Sequence, residues 1–200
     1  MSQPEPTPAK LSPTASRHAL QQRVSAAILE AAARALATYG EQASMNDVAE
    51  AAGVARATVY RYFPNRQALL EALARVATNE AAARLEAARL ADVEVNEAVR
   101  RAVRSLVEVG DYFSVLVREP VRPNPQEFEH GVIGPLNRLF ERGRSSGAIR
   151  DDVPSSWLTG SLLALVGTVL SSTPALGRED TIAAISGMFL DGARARPRAS

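Results

Sequence analysis

Apolar side chains recur along most of this chain at intervals of three and four residues, and nowhere do they alternate over a useful length. From Arg23 onward Val24, Ile28, Ala31, Ala35, Leu36 and Tyr39 fall on one stripe of a helix. The spacing returns in Leu69, Leu70, Leu73, Val76, Ala77 and Ala81, in Val95, Val99, Ala102, Val103, Leu106 and Val107, and in Phe128, Val132, Ile133, Leu136, Leu139 and Phe140. A chain so patterned buries helix against helix, so the expected fold is all-α with about nine helices. Alanine, the strongest helix former, is the commonest residue, and 46% apolar content over 200 residues suffices for a sizeable core.

Local stop and start signals divide the pattern. Gly40 offers a left-handed stop to the first helix, and Ser44 with Asp47 can cap the second reciprocally. Gly53 closes that helix after about two turns, and a third short helix runs from Ala55 or Arg56 to about Tyr62, ended by Pro64. Asn65 can cap a long fourth helix that bridges two units. Pro120, Pro123 and Pro125 mark a loop. The last two helices are expected at about 156–171 and 180–193. The expected organisation is a disordered, proline-rich arm over 1–19, a small three-helix domain over 20–66, a larger helical unit over 67–193 and a flexible tail over 194–200.

Composition removes several chemistries. Without cysteine there is no disulfide framework, thiolate metal site or thiol nucleophile, as fits a reducing cytoplasm. Lys10, the one lysine among 23 basic residues, lies in the arm, which excludes a phosphate loop ending in lysine and a lysine Schiff base in a core. With three prolines and no apolar run, Met1 to Lys10 is expected to be neither a secretory signal nor a membrane anchor, and the apolar run Trp157 to Leu170 is too short to span a bilayer comfortably, so it reads as a buried helix. The formal charge of +1 leaves nucleic-acid binding to a local basic patch.

Such a patch stands where the two short helices meet. Two helices joined by a tight glycine turn have the geometry of a helix-turn-helix. Val59 and Phe63, four apart, face its core with Val48 and Ala49, leaving Arg56, Ala57, Tyr60 and Arg61 on the solvent side. Between Gly53 and Arg66 there are three arginines and no carboxylate, the charge distribution that a phosphate backbone requires.

The run from Ser44 to Arg66, with its small residues before Gly53, its Thr58-Val59-Tyr60 step and its Tyr62-Phe63-Pro64 ending, resembles the DNA-binding signature of the tetracycline-repressor (TetR-like) family. The resemblance implies a dimeric, ligand-responsive transcription regulator, usually a repressor, with a variable carboxy-terminal effector domain and operator DNA as partner. Ala55 departs from it, standing where the family commonly has a capping serine. The candidate DNA contacts are Ser44, Arg56, Ala57, Thr58, Tyr60, Arg61, Tyr62 and Arg66. Arg56 and Arg61 can fork onto guanine edges or pair with phosphate, and the sequence leaves that choice open. Ala57 is small enough to touch a thymine methyl, and Thr58 and Tyr60 can donate hydroxyl hydrogen bonds. Ser44 and Arg66, at helix starts, are placed to position a phosphate. Tyr62 has a second reading as an ordinary core aromatic, and the cluster Arg17, His18 and Arg23 as either a DNA-contacting arm or plain surface.

In the larger unit, the helix around Trp157 is apolar nearly all round, and Ile182, Ile185, Met188 and Phe189 share a stripe on the final helix. The two suit a symmetric four-helix dimer interface built on Trp157, Leu158, Leu165, Val169, Ile182, Ile185 and Phe189, with completion of the monomer core as the competing reading. An effector cavity for a mainly apolar small molecule is expected among Leu106, Tyr112, Phe113, Leu136, Phe140 and Leu162, with Asn137 and Thr159 as polar contacts.

No enzyme, cofactor or metal is expected. Gly143-Arg144-Ser145-Ser146-Gly147 fits the esterase Gly-x-Ser-x-Gly pattern, but a helix precedes it and no histidine follows. Glu127 and His130 have the spacing of di-iron bundles without a second copy. The main rival to a DNA-binding regulator is a helical binding or scaffolding protein without DNA recognition.

Overall fold

A computed structural model describes residues 13–110, 112, 121–171 and 176–195. Among these, eight helices follow one another: α1 (Pro13–Tyr39), α2 (Met45–Ala51), α3 (Arg56–Tyr62), α4 (Arg66–Ala87), α5 (Val95–Val107), α6 (125–145), α7 (Ser155–Ser171) and α8 (Arg178–Ala193). Helix α6 is continuous but not uniform, with a π-helical turn at Glu129–Ile133 between α-helical Pro125–Phe128 and Gly134–Ser145. No strand forms among the described residues, and no helix there is long and apolar enough to cross a membrane.

The punctuation works as its chemistry dictates. Gly40 and Gly53 adopt the left-handed backbone at φ +59° and +65°. At the start of α2 the Asp47 amide donates to Ser44 Oγ at 3.3 Å while the Ser44 amide donates to Asp47 Oδ2 at 2.7 Å, closing a capping box. The Ser44 hydroxyl donates to the same carboxylate oxygen at 2.7 Å. These two donors, backbone first, hold the Asp47 carboxyl below its ordinary range. Asn65 Oδ1 accepts from the Ala68 amide at 2.8 Å and starts α4.

Two hydrophobic cores result, and α4 belongs to both. Leu69, Leu70 and Leu73 join Ile28, Leu36, Val48, Val59 and Phe63 in the first. Ala77, Ala81 and Leu85 join α5, α6, α7 and α8 in the second, where Phe140 and Phe189 lie with ring centroids 5.4 Å apart. Small residues let the helices approach closely: a Cβ added at Gly131, in the π turn of α6, would stand 2.6 Å from the Ala82 methyl of α4. Arg142 ties α6 to the 3-10 turn after α4 by donating to the carbonyls of Ala91 at 2.5 Å and Leu90 at 2.8 Å.

Two expected boundaries move. Helix α1 opens at Pro13, inside the segment read as an arm, because proline at a helix start gives up an amide that has no partner there in any case. Arg17, His18 and Arg23 thus lie exposed on a helix instead of on an arm; residues 1–12 lie outside the described part. The expected tail is pinned at its root, since Ile149 and Arg194 form an antiparallel bridge and the Ala195 amide donates to the Ala148 carbonyl at 3.3 Å.

Two outcomes follow. Gly131→Ala forces α4 and α6 apart and lowers unfolding free energy by about 1–3 kcal/mol in urea titrations. Asp47→Asn lowers the melting temperature at pH 7, and the gap to the parent narrows as pH falls, because a carboxyl whose folded pKa is depressed contributes stability above its unfolded pKa and loses it on acidification through the folded one. A gap that stays constant from pH 7 to below the carboxylate range contradicts that origin.

Candidate nucleic-acid interface and effector region

The turn from Ala52 to Ala55 sets α3 across α2, and Val59 is driven fully into the first core. That burial fixes the rotation of a two-turn helix, so Arg56, Ala57, Tyr60 and Arg61 are left exposed on the far side and Thr58 half-buried between. Arg56 and Tyr60, one turn apart, interact directly: the guanidinium carbon sits 5.2 Å from the ring centroid, and Nη2 donates to the tyrosine oxygen at 3.3 Å. Arg61 lies over the half-buried Tyr62 ring at 5.3 Å, and Tyr62 packs against the first core. The pairs stiffen the two arginines along one face without neutralising either. No carboxylate is contributed by α3.

The helix-start residues separate. Ser44 is exposed, with its hydroxyl engaged in the capping box. Arg66 is half-buried at the first turn of α4, where Nη1 lies 3.5 Å from the Ala43 carbonyl and braces α4 against the chain entering α2. Ala55 brings no side-chain hydrogen bond to the start of α3.

The expected effector residues come together, but as packing. Leu106, Leu136, Phe140 and Leu162 are fully buried in the second core, and Tyr112 is half-buried between both cores. The buried Thr159 hydroxyl donates to Asn137 Oδ1 at 2.7 Å, so the two expected polar contacts satisfy each other. Phe113 lies outside the described residues. Two clefts open elsewhere, and none of the expected lining residues borders either. One, of about 610 Å³, lies between the end of α4 and α6, and the other, of about 410 Å³, lies between α5 and α8.

The expected interface residues also divide. Leu158, Ile182, Ile185 and Phe189 are buried in the protomer's own core, and Leu165 and Val169 pack half-buried against it. The reason is that α5 and α6 cover the faces of α7 and α8 that sequence left unassigned. Trp157 alone of the set is strongly exposed, at 58%.

Sequence reasoning missed the arginines that border the larger cleft, Arg89, Arg138 and Arg142. One signal was available: Arg138 and Arg142 are like charges four apart on one helix, an arrangement unfavourable without an outside anion or carbonyl. Ser145 closes the last turn of a helix, and Gly147 beyond it is left-handed at φ +73°, so the Gly-x-Ser-x-Gly run forms no strand-to-helix elbow. Among the described residues no three His, Asp or Glu side chains gather as metal ligands.

Known proteins share this architecture. Residues 28–73, which span the second half of α1, α2, α3 and the start of α4, match the family model described as bacterial regulatory proteins, tetR family. The HTH-type transcriptional repressor LfrR of Mycolicibacterium smegmatis is 34% identical over 138 residues, covering 68% of this chain and 72% of that protein. The HTH-type transcriptional repressor Rv1474c of Mycobacterium tuberculosis is 28% identical over 144 residues, covering 66% of this chain and 72% of its own length. The crystal structure of LfrR in complex with proflavine superposes with a TM-score of 0.73 at 29% identity, covering 86% of this chain and 97% of that one. A shared helix-turn-helix on a shared second core, over most of both chains, means that this chain belongs to the tetR family of bacterial regulatory proteins.

Proposed function

We propose that this chain is a cytoplasmic homodimeric repressor that holds operator DNA through α3 and leaves it when a small, mainly apolar molecule binds the larger unit. The observation that carries the reading is the exposed, acid-free face of α3, where Arg56, Tyr60 and Arg61 stand together on a helix locked by Val59. Such a face neutralises phosphates and presents two guanidinium forks to base edges. Ser44 and Thr58 add hydroxyl donors at its border, Ala57 allows close approach, and Tyr62 and Arg66 support the face from behind.

Dimerisation is supported by what α7 and α8 leave uncovered. Trp157, Leu176 and Met188 are 58%, 51% and 67% exposed, and a Cβ added at Gly160 meets nothing within 4 Å. A twofold partner covers this face and sets two α3 helices about one helical turn of DNA apart, roughly 34–36 Å. Release is then linkage: an effector that prefers the arrangement with α3 out of register weakens operator binding by that preference, typically about 1–3 kcal/mol. Repression and response to a small molecule agree with the relatives' names, since LfrR is a repressor and its solved complex holds the small molecule proflavine.

Anisotropy with labelled genomic fragments tests the docking face. The Arg56→Ala/Tyr60→Ala double variant lowers affinity about 5- to 150-fold, the equivalent of about 1–3 kcal/mol for a good arginine–base pair, and flattens the salt dependence by about 0.9 for each phosphate no longer neutralised. Unchanged binding by the double variant rejects α3 as the reading helix. For the second surface, Gly160→Arg yields a folded monomer in sedimentation experiments, whereas a dimer that persists moves the pairing face elsewhere.

A further inference from the structure

The larger cleft has chemistry of its own. Its floor is apolar, with Leu85 and Leu90 from the end of α4 and the turn after it, and Pro135 and Leu139 from α6. Its border carries Arg89, Arg138 and Arg142 against the one carboxylate Glu86. Arg89 is held across the turn by Asp92 at 2.5 Å. Arg142 spends both terminal nitrogens on the Leu90 and Ala91 carbonyls, which cancel no charge, and its Nε is buried without an acceptor. Arg138 has no ion pair among the described residues.

The half-buried Arg142 and the exposed Arg138 beside it place more positive than negative charge on this border, which favours an anion, and the planar guanidinium fork matches a carboxylate above all. A neutral guest leaves that charge unmet, and a cationic one is repelled. The volume of about 610 Å³ lies in the ordinary range of small-molecule sites, and the apolar floor demands an apolar body behind the charge. We propose that this cleft is the effector site and that it takes an amphipathic carboxylate, with its chain on Leu85, Leu90 and Leu139 and its head on Arg138 and Arg142.

The place suits an effector role, which rests on the repressor reading above. The cleft opens beside the contact where the π turn of α6 touches α4 at Ala82, so a guest seated there presses on the helix that also carries Leu69, Leu70 and Leu73 of the DNA-binding core.

Calorimetric titration of the full chain with decanoate, decanol and the cationic dye proflavine, all below micellar concentration, tests the class. Decanoate binds saturably, one per protomer, and decanol and proflavine bind at least tenfold more weakly at this site. Arg138→Gln, an exposed change that leaves the melting curve intact, lowers decanoate affinity at least tenfold and leaves ligand-free DNA binding unchanged. Decanol equal to decanoate, proflavine in its place, or indifference to Arg138→Gln overturns the proposal. Anisotropy with genomic fragments, run in parallel without ligand, separates the two readings: absent DNA binding sinks the repressor while Arg138-dependent decanoate binding still upholds the cleft. DNA binding that decanoate fails to weaken sinks the cleft's effector role alone.

Discussion

Helix α4 lies in two cores at once, and the other elements take their places from that. Its first turns supply Leu69, Leu70 and Leu73 to the small domain, and its last turns supply Ala77, Ala81 and Leu85 to the large one. A helix resists bending because each turn is hydrogen-bonded to the next, so displacement at one end must appear at the other unless a core is broken. The alanines matter as much as the leucines. They bring α6 within contact distance through Gly131, and the helix runs unbroken from the cleft near residue 86 to the core that holds Val59.

Charge is distributed to match. With a formal total of +1 the molecule has no long-range pull on DNA, yet α3 has no acid at all and its arginines are braced by neighbouring aromatic rings. Elsewhere several arginines are paired: Arg104 meets Glu179 at 2.6–2.7 Å between α5 and α8, and Arg84 meets Glu80 and Glu108 at 2.7 and 2.9 Å. Against that background of local neutrality, the guanidinium groups of α3 and those of Arg138 and Arg142 at the α4–α6 cleft mark two places where the surface keeps positive charge to offer.

Much of this was legible before any fold was known, where the cause was short-range. The capping box of Ser44 and Asp47, the cap at Asn65, the left-handed Gly53 and the inward Val59 each depend on residues within four positions, so a linear reading contains all the atoms involved. Linear reading stops where the cause is distant. Leu106, Leu136, Phe140 and Leu162 read as a cavity lining because apolar stripes are the same whether they meet a ligand or each other. Ile182, Ile185 and Phe189 read as an interface or as the end of the protomer core, and their place in that core depends on α5 and α6, which lie far off in the chain.

The amino-acid sequence by itself determined the helical class, the helix-turn-helix and the cationic face of α3, since periodicity, caps and charge are properties of neighbours along the chain. Only the tertiary structure decided which apolar stripes close into the protomer, that Trp157 and Met188 stay outside, and that Arg89, Arg138 and Arg142 converge on one cleft. Convergence of that kind depends on the crossing of helices tens of residues apart, and the crossing is set by the volumes that meet there, such as the bare Gly131 against Ala82, which no periodicity encodes.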